Sequence, residues 1–166
     1  MPYRQIRRFG DPVLRGVAEP VTKFDDGLRG LIRDLLDTVD VPGHAGVAAP
    51  QIGVPLRAFS YHVDGEPGYL LNPEIVELSD ARQHGAEGCL SVPGLGFETE
   101  RAEHAVVRGV DERNEPVTVS GSGLMARCLQ HECDHLDGVV YLQRLDPATR
   151  REAMRQVRDT DWFWQS

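Results

Sequence analysis

The chain has 166 residues, of which 40% are hydrophobic, and a net charge of −8, which predicts one domain over residues 1–166. The negative charge argues against direct nucleic-acid binding and against an anionic membrane surface, because either partner would repel the chain. No apolar run is long enough to span a bilayer, and the first residues lack the apolar centre of a signal peptide, so we expect a cytoplasmic protein. Without a heptad repeat or a long apolar patch, a monomer is expected. Three cysteines in a reducing compartment argue against a disulfide framework.

The first predicted elements are an extended segment and a helix. Residues 6–14 are expected to be extended, with a turn at residues 10–12. Apolar residues then recur every three or four positions from Asp25 to Val39, which predicts an amphipathic helix. Asp25 or Asp26 is expected to cap it, and we assign the helix to the core scaffold.

A run of mostly small side chains follows at residues 44–51. Small residues in a row indicate that a packed element or a ligand passes close to the backbone. The polar side chain with reach in this run is Gln51. Taken alone, the run favours a tight structural corner in which Gln51 satisfies a loop carbonyl.

The middle of the chain alternates β-favouring runs with turn residues, which predicts an antiparallel sheet. The expected strands cover residues 57–63, 69–72, 75–78, 103–110 and 116–120, with turns at 64–68 and 111–115. Asp146-Pro147 then predicts a capped helix that runs to about Arg158. This helix should lie on the surface with Ala153, Met154 and Val157 inward, and the aromatic residues 162–164 should pack back on the domain.

The strongest motif is H-E-x-x-H at residues 131–135. On a helix, His131 and His135 lie one turn apart on the same face, where both can bind one metal ion. Glu132 lies beside that ion, and a carboxylate there can take a proton from metal-bound water and pass it to a leaving amine. Two solvated surface histidines are the alternative interpretation.

The flanks support a helix through this motif. One apolar side is expected from Leu124, Met125, Cys128, Leu129, the stem of Glu132, and Leu136. A hydroxyl in residues 120–123 is expected to cap the helix, and Gly138 to end it.

A catalytic site of this type needs a third protein ligand and one open position. Cys89 is a strong candidate, because a thiolate binds such ions and Gly88 beside it permits close approach. Cys128 and Cys133 are weaker candidates. Cys128 falls on the apolar side of the helix, and Cys133 should point away from the histidines.

Three segments together, G-V-A-A-P-Q at 46–51, E-G-C-L-S at 87–91 and Q-H-E-C-D-H-L-D-G at 130–138, resemble the signature motifs of the peptide deformylases, in the family's order. The resemblance covers about residues 6–144. It implies an α+β fold in which antiparallel sheets surround a central metal-binding helix. It also implies hydrolytic removal of the formyl group from N-formylmethionine of newly synthesised polypeptides, with nascent chains, some still at the ribosome, as partners.

The resemblance also implies residue roles and a cofactor. Metal-bound water would attack the formyl carbon, with Glu132 as general base and acid, while the Gln51 side chain and the Leu90 backbone N–H stabilise the oxyanion. The implied ligands of one divalent ion are Cys89, His131 and His135. Ferrous iron is implied in the cell, and zinc, nickel or cobalt can occupy such a site.

By the same resemblance, the methionine side chain enters a pocket near Leu124, Arg127 and Cys128, while the substrate main chain pairs with Ala45, Gly46 and the segment at Gly88. Two further contacts are open on the sequence alone. Asp134 is expected either to pair with Arg101 or to remain solvated, as Arg101 would then be too. Glu87 is expected either to bond the backbone near Gln51 or to line the substrate pocket.

His44 stands where the family usually has glycine, so we expect it to narrow the substrate groove, to add a titratable group near the substrate, or to point to solvent. Three other functions remain open on the sequence alone. The first is a deformylase-like amidohydrolase acting on a small or specialised formylated substrate, for which His44 is the hint. The second is an H-E-x-x-H endopeptidase, whose usual third ligand lies downstream. The third is an idle metal-binding or ribosome-associated module, which would be expected to have lost Glu132 or Cys89.

Overall fold

The computed structural model describes residues 4–165, which form an α+β fold. The helices are α1 (Asp26–Val39), α2 (Leu124–Leu136) and α3 (Pro147–Arg158). Short 3₁₀ turns lie at Pro12–Leu14, Ala49–Ile52, Tyr141–Arg144 and Trp162–Trp164. The strands are β1 (Gly46–Ala48), β2 (Ala58–Val63), β3 (Glu66–Leu78), β4 (Arg82–Gln83), β5 (Ala86–Cys89), β6 (Val92–Glu98), β7 (Arg101–Ala102), β8 (His104–Val110) and β9 (Pro116–Ser122).

These strands form three antiparallel sheets within the described residues. The largest has the order β1-β2-β3-β8-β9, and the pairs β4-β7 and β5-β6 form two smaller sheets. The prediction of an α+β fold with antiparallel sheets is confirmed. Among residues 4–165, no helix combines the length and the apolar character that a bilayer crossing requires.

Strand β3 differs from the prediction of two separate strands at 69–72 and 75–78. It is one strand with a register shift between Leu71 and Glu74. Asn72 marks the irregularity, with a φ of 48°, and its side-chain amide exchanges hydrogen bonds with the backbone of Val21 at 2.7 and 3.0 Å. The bulge absorbs Asn72 and Pro73 without ending the strand. The preceding turn is also tighter than predicted, because Asp64-Gly65 alone reverses the chain.

Helix α1 begins and ends as the sequence predicts. The side chain of Asp25 accepts a hydrogen bond from the backbone N–H of Leu28 at 3.0 Å, so Asp25 is the cap. The apolar side of α1 is buried against β1, β2 and β3, through Leu28, Leu31, Ile32, Leu35 and Val39.

Helix α2 departs from the prediction at its start and in its burial. No hydroxyl caps it: the N-cap is Gly123, with a φ of 60°, and the Ser122 hydroxyl bonds Nδ1 of His104 instead. Every residue from 126 to 136 is buried, while Leu124 is 53% exposed, so the predicted one-sided burial is wrong. The strands packed against α2, among them β1, β2, β8 and β9, cover several of its sides. The helix ends at Leu136, just before Gly138, whose φ is 78°.

The C-terminal segment largely follows the prediction. Asp146 caps α3 by accepting a hydrogen bond from the Thr149 backbone N–H, and Ala153 and Val157 are fully buried. Trp162 and Phe163 pack on the same hydrophobic cluster, but Trp164 is 68% exposed, so packing back is wrong for that residue.

Candidate metal centre

Three possible ligand atoms converge at the end of β5 and on α2. The donor atoms of Cys89, His131 and His135 all lie within 4.8 Å of one another. Cys89 Sγ is 3.3 Å from Nε2 of His135, which is 3.2 Å from Nε2 of His131. One thiolate and two imidazoles at this spacing fit a divalent transition-metal ion and leave a further coordination position for water or substrate.

Local structure explains why these side chains meet. His131 and His135 are one helical turn apart, so they project from the same face of α2. Cys89 is the last residue of β5, where the register with β6 shifts between Gly88 and Cys89. Such an irregularity redirects a side chain relative to a regular strand. Cys128 and Cys133 lie outside this cluster of donor atoms, as the sequence predicts.

Glu87 fixes the orientation of His131. Its Oε2 lies 2.6 Å from Nδ1 of His131, which leaves Nε2 facing the other donors. Burial would raise the pKa of Glu87, but the hydrogen bonds from His131 and Arg101 outweigh it and lower that pKa to about 2. Because the folded pKa is lowered, the carboxylate stabilises the fold above about pH 4.5, and this contribution is lost as the pH falls toward 2.

The same carboxylate belongs to a buried ion network. Arg101 bonds Glu87 with two nitrogens, at 3.0 and 2.7 Å, and bonds Asp134 at 2.8 Å. Arg127 reaches Glu87 at 2.8 Å, and Arg144 binds Asp134 with two nitrogens. The pairing of Arg101 with Asp134 is therefore confirmed. The alternative that Glu87 bonds backbone near Gln51 is wrong, because its oxygens bond these cations and His131.

Glu132 is almost completely buried at the wall of the site. It is 3% exposed, and its Oε1 is buried without a hydrogen-bond partner among residues 4–165. Burial raises the pKa of Glu132 to about 7, although the neighbouring His131 charge lowers it in part. A carboxyl group with a pKa near neutrality is suited to accept and return a proton.

Gly46 makes room for Glu132. A Cβ at this position would lie 2.6 Å from Oε2 of Glu132 and 2.9 Å from Sγ of Cys128. Both distances are shorter than van der Waals contact, and the neighbouring side chains are buried.

Substitution of Gly46 by alanine is therefore expected to displace the Glu132 carboxylate while leaving the three ligands in place. We expect kcat to fall by about 100-fold, the cost of a displacement near 1 Å in a catalytic group, with metal content unchanged. Gly30→Ala is the control, because the nearest atom to its new Cβ is 3.8 Å away. Full activity in Gly46→Ala would contradict the expectation that a Cβ at position 46 displaces the Glu132 carboxylate.

Gln51 and Leu90 lie beside the ligand cluster. Gln51 is 1% exposed on a 3₁₀ turn, where its Oε1 accepts a hydrogen bond from the Ala48 N–H. Its Nε2 donates to the Ser91 hydroxyl at 3.1 Å and lies 3.7 Å from Sγ of Cys89. The expectation that Gln51 satisfies a loop carbonyl is wrong, because its amide joins the Ala48 backbone to the segment that carries Cys89.

A cavity of about 590 Å³ opens on the candidate metal centre. Its walls bring Glu132, His131 and Cys89 together with the predicted substrate-binding residues Ala45, Gly46, Gly88, Leu124, Arg127 and Cys128, and with Leu90. Gln51 and His135 do not line it. Glu87 does, but its oxygens are committed to the ion network. His44 lies outside this cavity, and its Nδ1 bonds the Thr38 carbonyl at the end of α1.

Sequence reasoning missed two contacts of the site. Ser91 receives the Gln51 amide, although the serine belongs to the segment that drew attention to Cys89. Tyr141 stacks on His131 with ring centroids 5.9 Å apart, and its hydroxyl is buried without a partner among the described residues. Nothing in the sequence indicates this contact, because Tyr141 is one aromatic residue in an apolar run that follows Gly138.

Comparisons with known proteins agree with one another. A family model described as polypeptide deformylase matches residues 3–151. The chain is 56% identical to a peptide deformylase of Acidothermus cellulolyticus, across 100% of this chain and 92% of that protein. It is 46% identical to peptide deformylase 1 of Corynebacterium efficiens, across 98% and 99% of the two chains. The crystal structure of a peptide deformylase from Legionella pneumophila superposes with a TM-score of 0.87 at 40% identity, covering 95% of this chain and 94% of the other. The chain belongs to the peptide deformylase family.

Proposed function

We propose that this chain hydrolyses the formyl group of N-formylmethionine at the start of newly synthesised polypeptides, at the cluster of Cys89, His131 and His135. The observation that carries the proposal is the convergence of these three donors beside one cavity, which Cys89, His131 and Glu132 line. We propose that it acts in the cytoplasm, where ribosomes produce the substrate, and that it acts as a monomer.

The residues at the cluster would hold one divalent metal ion. Ferrous iron is the proposed ion in the cell, with zinc, nickel and cobalt as alternatives, since a mixed sulfur and nitrogen donor set accepts all four. When bound, such an ion would supply Lewis acidity, which polarises a carbonyl and lowers the pKa of water. Glu87 supports the site by fixing the His131 ring through Nδ1.

Glu132 would move the proton in this reaction. Its carboxylate takes a proton from the attacking water and delivers it to the amine that leaves, a role that fits its place beside Cys89 and His131 in the cavity wall. Gln51 and the backbone N–H of Leu90 would donate hydrogen bonds to the oxyanion that develops on the formyl oxygen. The position of Gln51 Nε2, 3.7 Å from Cys89 Sγ, supports this role.

The substrate would bind as an extended strand. β1 is an edge strand of the large sheet, and β5 is paired on one side only, with β6. An extended peptide that follows Ala45 and Gly46 on one side and Gly88 on the other would lie between the free edges of these two strands. Its methionine side chain would then enter the part of the cavity lined by Leu124, Arg127 and Cys128.

The decisive experiment measures formate release from formyl-Met-Ala-Ser by protein purified without oxygen and loaded with ferrous iron. A matched pair of variants tests the ligand assignment. Cys89→Ala is expected to lower metal affinity by more than about 100-fold. Loss of a residue that only hydrogen-bonds to a ligand already lowers metal affinity by about 10- to 100-fold, and Cys89 would be a ligand itself. Cys128→Ala, which removes a buried thiol that lies outside the donor cluster, should keep the metal. Equal metal content in the two variants, or no formate release by metal-loaded protein, would contradict the proposal.

A further inference from the structure

A second cavity of about 490 Å³ adjoins the one that contains the candidate metal centre. Six residues line it: Gln5, Ile6, Arg8, His44, Leu90 and Pro93. Leu90 and Pro93 also line the larger cavity, so the two cavities share a wall. None of the lining residues carries a carboxylate.

Arg8 gives this cavity a positive charge. Its recorded partner among residues 4–165 is the neutral side-chain amide of Gln165, which accepts a hydrogen bond at 3.3 Å. Nearby arginines are neutralised, since Arg4 pairs with Asp34 and Arg7 with Asp11. Within residues 4–165, Arg8 is therefore an exposed cation at the cavity that no carboxylate pairs with, on a chain with a net charge of −8.

His44 contributes a fixed wall to the same cavity. Its Nδ1 lies 2.8 Å from the Thr38 carbonyl oxygen, and a carbonyl only accepts, so Nδ1 carries the hydrogen. The half-buried ring is thus anchored to the end of α1. The ring is half-buried at the border of this second cavity, so the alternative that His44 simply points to solvent is not supported.

We propose that this second cavity receives the side chain of the third residue of the formylated substrate and that Arg8 selects an acidic side chain there. The inference rests on the proposed function, which places methionine in the larger cavity. Side chains alternate along an extended peptide, so the first and third residues face the same side. Because the two cavities share the wall formed by Leu90 and Pro93, the third side chain reaches the positive cavity when the first fills the other.

The test compares three peptides with metal-loaded protein: formyl-Met-Ala-Glu-Ser, formyl-Met-Ala-Gln-Ser and formyl-Met-Ala-Lys-Ser. We expect kcat/KM to be about fivefold higher for the glutamate peptide than for the lysine peptide, the scale of an exposed ion pair. The difference in kcat/KM between these two peptides should shrink at about 0.5 M salt. At that concentration, the distance over which exposed charges interact falls to a few ångströms.

Charge reversal at Arg8 makes the test specific. Arg8→Glu is expected to favour the lysine peptide instead, while Arg33→Glu should keep the original preference. Arg33 is the matched control because it is exposed on α1 and lines neither cavity. Peptide Kd values measured with metal-loaded Glu132→Gln protein give the same comparison without turnover.

The outcomes separate this inference from the proposed function. Equal kcat/KM for the glutamate and lysine peptides, or a preference that survives in Arg8→Glu, would overturn the inference and leave the deformylase function standing. Absence of formate release from all three peptides would overturn the proposed function. In that case the order of the Kd values decides the role of Arg8, because it depends on binding alone.

Discussion

Replacement of Glu132 by glutamine is expected to lower kcat about 1000-fold while metal binding and folding are retained, because a positioned general base contributes on this scale. The amide has nearly the same volume as the carboxyl group, so it fills the same space beside Gly46. It cannot take a proton from water at neutral pH. Formate release measures the rate, and metal analysis with thermal unfolding measures the other two properties.

The choice of glutamine keeps this experiment interpretable. Oε1 of Glu132 is buried without a partner among residues 4–165, so the change does not remove a hydrogen bond that holds the fold together. Glu98→Gln is the control, since Glu98 is an exposed carboxylate on β6. A Glu132→Gln protein that turns over at the rate of the unaltered chain would remove Glu132 from the proton-transfer role.

The parts of the site that the sequence predicts are those encoded by local spacing. His131 and His135 are four residues apart, and helical geometry alone brings their rings to one face. Likewise, Asp25 caps α1 and Asp146 caps α3 through hydrogen bonds to residues three positions along the chain. The proximity of Cys89 to this pair depends on a strand far away in sequence. Thiolate chemistry and the adjoining Gly88 made Cys89 a candidate, and the match of three motifs to a known family supported it.

The features that sequence reasoning missed depend on tertiary contacts. Asn72 sits in a bulge because its side chain meets the backbone of Val21, which is 51 residues away. Burial of α2 on several sides was missed because its polar residues look solvent-exposed by composition. Arg127 is buried because it pairs with Glu87 on β5. Asp134 is buried because it pairs with Arg101 and Arg144, which lie outside α2.

Replacement of Arg101 by methionine is the change with the largest expected effect on stability. Arg101 is 4% exposed and joins Glu87 to Asp134 behind the candidate metal centre. Methionine keeps much of the side-chain volume but leaves two buried carboxylates short of a partner. We expect the free energy of unfolding to fall by about 3–5 kcal/mol, the usual cost of breaking a buried ion pair from one side.

Arg82→Met is the matched control, because Arg82 pairs with Glu100 at 3.5 Å where both side chains are about half exposed. That change should cost at most about 1 kcal/mol. Urea unfolding of both variants and the unaltered chain, at one pH and one metal concentration, measures the difference. Equal losses in the two variants would mean that burial of the Arg101 network does not govern its contribution. A large loss confined to Arg101→Met would establish that the network that orients His131 through Glu87 also holds α2 in the fold.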